Sequence, residues 1–286
     1  MDPKLSIILV TKNRAKYLDR FFINIKQQMD TCGCSSELIV VDGGSTDGTV
    51  DVINKYQSLI SFWVSEPDSG VSQAFNKALA KARGSVVKPV ADDDLFLNGA
   101  FKTGIDYLDT HPEVDCVIYS AAWFVESENG ERTQPFDMGT VDGEITLNSL
   151  LRFPYSGMMS PEAEFCRTSA LRAVGGYDET LHPWAYWDLW LRQVKHGSKL
   201  VAQPHIIMQK IETPESDGMK MQFEQPQLWR DEFDYVVARH GNLYWQLWHR
   251  FGGELSLSSA VKYCARTICV GLFGLTPRQL LGQRPH

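Results

Sequence analysis

The chain has 286 residues, 43% hydrophobic and 22% charged, with a formal charge of -7; this balance supports a sizeable folded core and excludes a disordered chain. The acidic excess argues against a nucleic-acid binder, which needs clustered Lys and Arg to neutralise phosphates, but allows a small anionic ligand bridged by a metal ion. Six cysteines (Cys32, Cys34, Cys116, Cys166, Cys264, Cys269) lack the C-x-x-C spacing of a zinc site, and the start MDPKLSIILVTKNR lacks the pattern of a signal peptide, so reduced thiols and a cytoplasmic location are expected.

Leu5 to Val10 (LSIILV) reads as a buried strand, and Tyr17, Leu18, Phe21, Phe22, Ile25 and Met29 after it keep helical spacing. Glu37 to Val41 is a second strand, closed by Asp42-Gly43-Gly44-Ser45 and followed by a helix with Val50, Ile53 and Tyr56 on one face. Ile60 to Val64 is a third strand. The helix after it carries Val71, Ala74, Phe75, Ala78, Leu79 and Ala82, with Asp68 or Ser69 as its cap and Gly84 as its stop. Ser85 to Ala91 is a fourth strand. Such alternation predicts an α/β fold whose strands pair in parallel through right-handed crossovers, with ligands at the carboxyl ends of the strands.

Those ends hold the polar clusters: Thr11-Lys12-Asn13-Arg14, Asp42-Gly43-Gly44-Ser45, Ser65 to Gly70, and Asp92-Asp93-Asp94. Three adjacent carboxylates repel and raise one another's pKa, which a divalent cation relieves; hard oxygen ligands suit Mg or Mn. Each cluster also has a purely structural reading. The aspartates can form a solvated turn, Asp42 a tight turn and Asp68 a helix cap; Asn76, beside Lys77, can lie on a solvated helix face, and Arg14 in solvent.

Beyond residue 112 the pattern predicts a strand over 114–125, a helix over 184–196 and a strand over 199–208. From Gly218 the tail reads as helical and aromatic. Its apolar stretch 260–275 is broken by Lys262 and Arg266, short of the roughly 20 residues that span a bilayer. Trp245, Trp248, Arg250, Lys262 and Arg266 suit either a membrane-surface helix pair or a helical cap.

The blocks SIILVTKNR, ELIVVDGGSTDGT, SEPDSGVSQAFNKALAKARG and ADDDLFLNGA, in this order over Ser6 to Ala100, resemble the family-2 glycosyltransferases of the GT-A fold. VGGYDETLHPWAYWDLWLRQVKHG, over 174–197, is similar to the family's acceptor-side segment. The resemblance implies a Rossmann-like, mostly parallel sheet flanked by helices: a GT-A domain over 1–216, divided into a nucleotide-sugar half (1–112) and an acceptor half (113–216), and a helical extension over 217–286. It implies that Thr11, Asn13, Arg14 and Asp42 hold the nucleotide, that Asp68 and Asn76 line the same pocket with Asp92 and Asp93, and that Asp92 and Asp94 form the D-x-D site for Mn2+ or Mg2+, with Asp94 the direct ligand.

The activity implied is inverting, metal-dependent transfer of a hexose from a nucleotide sugar, UDP-sugar favoured. The acceptor would be a glycan or lipid-linked saccharide in cell-surface polysaccharide or lipopolysaccharide synthesis, at the cytoplasmic face of a membrane. Two positions depart from the family pattern. Tyr186 stands where relatives carry the acid that serves as base, and tyrosine, with a pKa near 10, is a poor base. Asp188 and Glu164 are the candidates in its place, with Glu162 and Asp178 the other acids of the segment, although two helical residues turn the chain by roughly 200° and Asp188 can instead pair with Arg192 at i,i+4. Downstream, Lys210-Ile211-Glu212 replaces the family's Arg-x-His, making Glu212 a candidate ligand. A catalytically silent nucleotide-sugar-binding or scaffold protein of the same fold is the alternative; a dinucleotide oxidoreductase is not supported, since no G-x-G-x-x-G follows the first strand.

Overall fold

In the computed structural model, which describes residues 2–134, 140, 142–152, 160–213, 216, 224–242, 245–246 and 249, four strands and three helices alternate at the start of the chain. They are β1 (Leu5–Thr11), α1 (Ala15–Thr31), β2 (Ser36–Asp42), α2 (Thr49–Lys55), β3 (Phe62–Ser65), α3 (Val71–Lys81) and β4 (Val86–Val90). The strands pair in parallel in the order β3-β2-β1-β4, with Leu5 opposite both Ser36 and Val86. Leu5, Ile7 and Leu9 pack with Leu18, Phe21, Phe22 and Ile25 of α1 in one core cluster. The periodicity behind the predicted elements is therefore the periodicity of burial.

Past β4 come β5 (Leu95–Phe96), α4 (Ala100–Thr110), β6 (Cys116–Glu126), β7 (Arg132–Thr133), β8 (Gly143–Ile145), α5 (Leu147–Leu151), β9 (Glu164–Arg167), α6 (Thr168–Ala173), α7 (Ala185–His196), β10 (Leu200–Glu212) and α8 (Pro226–His240). The sheet continues as β4-β9-β6-β10-β5, with β7 on β6 and β8 on β10. The longest ladders, β1 with β2 and β6 with β10, are parallel.

β9, which no periodicity predicted, runs antiparallel to both neighbours and joins the two halves: Val87 faces Cys166, and Ile118 faces Glu164. Its direction matters. Running antiparallel, β9 starts near the end of β4, so the short 3-10 turn Pro161–Ala163 that precedes it arrives at the edge where Asp92-Asp93-Asp94 follow β4. β10 outruns its predicted end by four residues, to Glu212, and its pairing of Gln209 with Leu95 brings Lys210-Ile211-Glu212 to the same edge.

The chain divides into two compact units, Met1–Phe233 and Asp234–His286. In the second, α8 runs to His240, and the Gly241 amide donates to the Val237 carbonyl at 2.8 Å. The predicted boundary at 216/217, together with Trp248, Arg250, Lys262, Arg266, Cys264 and Cys269, borders or lies outside the described residues. Among the described residues no helix is long and apolar enough to cross a membrane.

Gly104 of α4 faces Phe165 of β9 so closely that a Cβ there would fall on the ring. Gly104→Ala is expected to lower stability by about 1–3 kcal/mol through overpacking. Thermal unfolding should show this as a fall of several degrees, since about 1 kcal/mol shifts Tm by roughly 2–4 °C in chains of this size.

Candidate functional site

The carboxyl edge of the sheet gathers three chain segments onto the aspartate run. Thr11, the last residue of β1, donates its hydroxyl to Asp92 Oδ2 at 2.6 Å. Arg14, at the start of α1, donates from Nε to Asp92 Oδ1 at 2.7 Å, pairs through Nη2 with Asp93, and reaches Thr213 Oγ1 at 3.4 Å. Its guanidinium lies 4.3 Å from the centre of the Tyr17 ring. The reading of Arg14 as a solvent residue is thus corrected: it is 8% exposed. Burial opposes its charge, but Asp92 and Asp93 outweigh burial and raise its pKa.

Asp92 pays the opposite way: burial pushes its carboxyl up to about 6, with Arg14 and the Thr11 hydroxyl working against the rise. Asp93 Oδ2 also accepts from Ser216 Oγ at 2.9 Å. Asp94 differs from both. Its Oδ1 accepts the Ile211 amide at 3.0 Å, while Oδ2 is buried without a hydrogen-bond partner. Burial holds its carboxyl well above the usual range, Lys210 opposing and Glu162 adding to the rise. Both oxygens of Asp92 are engaged by protein donors, so within the predicted metal pair only Asp94 has an oxygen without one.

The loops around this edge are built by side chains that sequence reading assigned to the nucleotide. Asn13 has a left-handed backbone (φ 54°), which Asn tolerates better than most residues. It ties two loops together, its amide donating to Ser45 Oγ at 2.7 Å and its Oδ1 accepting the Thr46 amide at 2.9 Å. Asp42 is fully buried and accepts from the Ser45 amide at 2.9 Å, the Gly44 amide at 3.2 Å, the Ser65 hydroxyl at 2.6 Å and the Ser45 hydroxyl. It is the hub of the β2 turn, in keeping with the tight-turn alternative.

Asp68 accepts the Gly70 amide at 3.1 Å, and its Oδ2 would lie 2.6 Å from a Cβ at position 43, so Gly43 is what lets the β3 loop close on the β2 turn. The expected cap of α3 is corrected: Gly70 takes the N-cap position, with no side-chain cap bond. Asn76 is corrected as well. Its amide is spent on the loop before α7, donating to the Tyr177 carbonyl and Glu179 Oε1, each at 2.9 Å, and accepting the Tyr177 amide at 2.9 Å. Partly buried, it fastens α3 to the loop before α7.

On the acceptor side both expected bases are corrected. Asp188 is fully buried and accepts Arg192 Nε at 2.6 Å, with Arg192 also donating to the Val174 carbonyl at 2.7 Å. The i,i+4 pair is its role, because two residues along α7 turn it away from the face that carries Tyr186 and Trp190. Glu164 lies on β9, 1% exposed, accepting Trp190 Nε1 at 2.7 Å. Burial pushes its carboxyl up to about 7, and it anchors α7 to the sheet.

Three groups that carry weight here were missed or left unassigned by sequence. Glu162, on the 3-10 turn before β9, accepts Ser160 Oγ at 2.7 Å and Lys210 Nζ at 3.0 Å. Burial works against its charge, but Lys210 and the Ser160 hydroxyl prevail and hold its pKa below the ordinary carboxylate value. Lys210, in turn, is kept strongly protonated: burial opposes the charge, and Glu162, Asp94 and Glu212 outweigh it. Burial raises Glu212, with Lys210 opposing.

Lys88 of β4 is fully buried, donates to the Pro89 and Glu162 carbonyls, and lies 4.7 Å from the Phe96 ring centre and 4.9 Å from that of Phe165. Burial pushes it down to about 7. A lysine inside the apolar run VVKPV was the available signal for it.

Five carboxylates (Asp92, Asp93, Asp94, Glu162, Glu212) thus share one edge with the cations Arg14 and Lys210. No group of three ligands among the described residues is arranged as a ready metal cage. That suits an ion of the Mg or Mn kind, which takes one or two carboxylates and completes its shell with water and phosphate oxygens. The buried, unpartnered Asp94 Oδ2 fits such an ion.

A family model described as "Glycosyl transferase family 2" matches residues 6–164. The amylovoran biosynthesis glycosyltransferase AmsE of Erwinia amylovora is 25% identical over 205 residues, which are 71% of this chain and 73% of the relative. Among solved structures, Staphylococcus aureus TarS 1–349 in complex with UDP-GlcNAc aligns with a TM-score of 0.64 at 20% identity, over 82% of this chain and 66% of that one. The alignment spans 39% of a longer TarS chain. The mannosyltransferase PcManGT from Pyrobaculum calidifontis, in complex with GDP-Man and Mn2+, aligns with a TM-score of 0.60 at 17% identity, over 96% of this chain and 82% of that one. At these identities the structures establish the fold.

The reassignment of Asn76 is testable. Asn76→Ala removes its bonds to the 177–179 loop and should cost about 1–3 kcal/mol of stability, read by chemical denaturation. UDP affinity, read by calorimetry, should change by less than about twofold, roughly 0.4 kcal/mol.

Proposed function

The chain belongs to glycosyl transferase family 2, and from that premise we propose that it is an inverting, metal-assisted glycosyltransferase. It moves a hexose from a nucleotide sugar, UDP-sugar favoured, to a glycan or lipid-linked saccharide of the cell surface. The observation that carries this reading is the buried Asp94 with its unpartnered Oδ2, set in a carboxylate-rich edge beside Arg14 and Lys210. The acceptor half of the reading draws support from the relative that takes part in amylovoran synthesis. The membrane-surface role of the tail rests on its composition alone.

In this reading Asp94 would hold a Mn2+ or Mg2+ ion. The ion, when bound, supplies Lewis-acid stabilisation of the charge that grows on the leaving phosphate. Arg14, bonded to Asp92 and Asp93, is the cation that would meet diphosphate oxygens. Thr11 keeps Asp92 oriented, and the Asn13 and Asp42 turns set the width of the slot for the nucleoside. Inversion requires the acceptor hydroxyl to attack the face opposite the diphosphate, and the elements on that side are the 3-10 turn, α7 and the end of β10.

A second reading, a silent nucleotide-sugar-binding protein, is favoured by Tyr186 standing at the family's acid position; burial raises its phenol above the ordinary value, so it stays protonated and accepts no proton. One assay decides between them. Incubation with a panel of UDP- and GDP-sugars, Mn2+ and p-nitrophenyl glycoside acceptors should release nucleoside diphosphate, and Asp94→Asn should lower that rate by about 10²-fold or more, roughly 2.7 kcal/mol of barrier. Tight UDP binding with no turnover across the panel would favour the silent binder and refute the enzyme.

A further inference from the structure

The acid that relatives carry on the acceptor helix is absent, yet the space it would serve is not without a carboxylate. Tyr186 and Trp190 are one helical turn apart on α7, and Trp190 Nε1 bonds Glu164 of β9 at 2.7 Å. Tyr186 holds the helix position of the acid that relatives carry. Its ring packs edge-on against Tyr177, with centroids 5.1 Å apart, inside the helix-loop corner.

We propose that the catalytic base has been transposed from α7 to the 3-10 turn before β9, and that Glu162 takes the acceptor proton. The proposal rests on the glycosyltransferase reading above and adds to it the identity of the base. Three observations carry it. Glu162 stands on the edge that holds Asp94, because β9 runs antiparallel to β4 and starts where β4 ends. Its two side-chain hydrogen bonds among the described residues, from Ser160 and Lys210, both fall on Oε2, so Oε1 can accept an incoming hydroxyl. The side chain keeps 11% of its surface exposed, whereas Asp188 is fully buried against Arg192 and Glu164, although its Oε1 is unpartnered, is 1% exposed.

The turn is also held in place from below. Lys88 donates to the Glu162 carbonyl from the floor of the site, and Ser160 and Lys210 fix the carboxylate itself. A base must be positioned as well as ionised, since an error of about 1 Å costs on the order of 10²-fold. On the open side, Trp123 of β6 pairs in register with Lys210, and the Lys210 ammonium lies 5.8 Å from the Trp123 ring centre. Trp123 is half-buried and offers a flat aromatic surface next to the carboxylate, suited to the apolar face of an acceptor sugar.

The step balances without a further reactant. The acceptor oxygen forms its bond to the anomeric carbon as its O–H bond breaks, the proton passes to Glu162 Oε1, and the bond from the anomeric carbon to the phosphate oxygen breaks with its electron pair leaving on the nucleoside diphosphate.

The test uses the full chain with whichever donor and p-nitrophenyl glycoside the panel shows to react. Glu162→Gln, which preserves shape, should lower kcat by about 10²–10⁴-fold, while donor KM, UDP affinity and melting temperature stay near wild type. Glu162→Asp should retain partial activity. Adding Tyr186→Glu to Glu162→Gln returns an acid to the helix and should recover at least about tenfold in kcat. Glu162→Gln that keeps kcat within about threefold overturns the proposal, as does a loss of turnover that merely follows loss of UDP affinity and of stability. A wild type that binds UDP but turns over no donor overturns the glycosyltransferase reading itself, an outcome distinct from an active wild type whose rate ignores Glu162.

Discussion

Negative charge crowded at one edge of the sheet is the constraint on which the rest of this structure depends. Asp92, Asp93, Asp94, Glu162 and Glu212 come from three separate segments, and burial raises the cost of keeping them ionised together. Arg14 and Lys210 answer that cost from opposite sides. Arg14 binds the first two aspartates and ties them to Thr213, while Lys210 binds Glu162 and acts on Asp94. Neither cation makes a hydrogen bond to Asp94 Oδ2. The edge thus retains, among the described residues, a buried oxygen of Asp94 without a hydrogen-bond partner, the one that the proposed divalent ion would take.

The architecture follows from the same edge. Parallel strands β1 to β4 deliver their carboxyl ends and following loops to one side, which a chain of βαβ units does by construction. The second half reaches that side by two different routes. β9 inserts antiparallel and leads with its preceding turn, and β10 runs alongside β6 well past the level of β5, so its last residues rise beside Asp94. The two routes bring a glutamate and a lysine together at 3.0 Å although they lie 48 residues apart.

Several polar residues near the site hold shape and leave chemistry to others. Asp42 spends its oxygens on its own turn, Asn76 on the Tyr177 backbone, Asp188 on Arg192 and Glu164 on Trp190. Each satisfies donors at positions that are partly or fully buried. They give the rigid surround on which the proposed base and the proposed metal-binding aspartate depend.

The sequence by itself determined the first four strands, their helices, their parallel pairing and the edge at which a ligand would bind, because these follow from local periodicity and from loops that immediately succeed buried strands. It also marked Thr11, Arg14 and the aspartate run, whose neighbourhood is a consequence of that pairing. Only the tertiary structure decided the acceptor side. Glu162 and Lys210 meet through the antiparallel direction of a four-residue strand and the overrun of β10, neither of which leaves a periodic trace. Whether a carboxylate is a partner, a hub or a base depends on which donors surround it in space, and at Asp188, Glu164 and Glu162 those donors come from residues that sequence spacing alone does not bring together, or from a helix face whose direction only packing fixes.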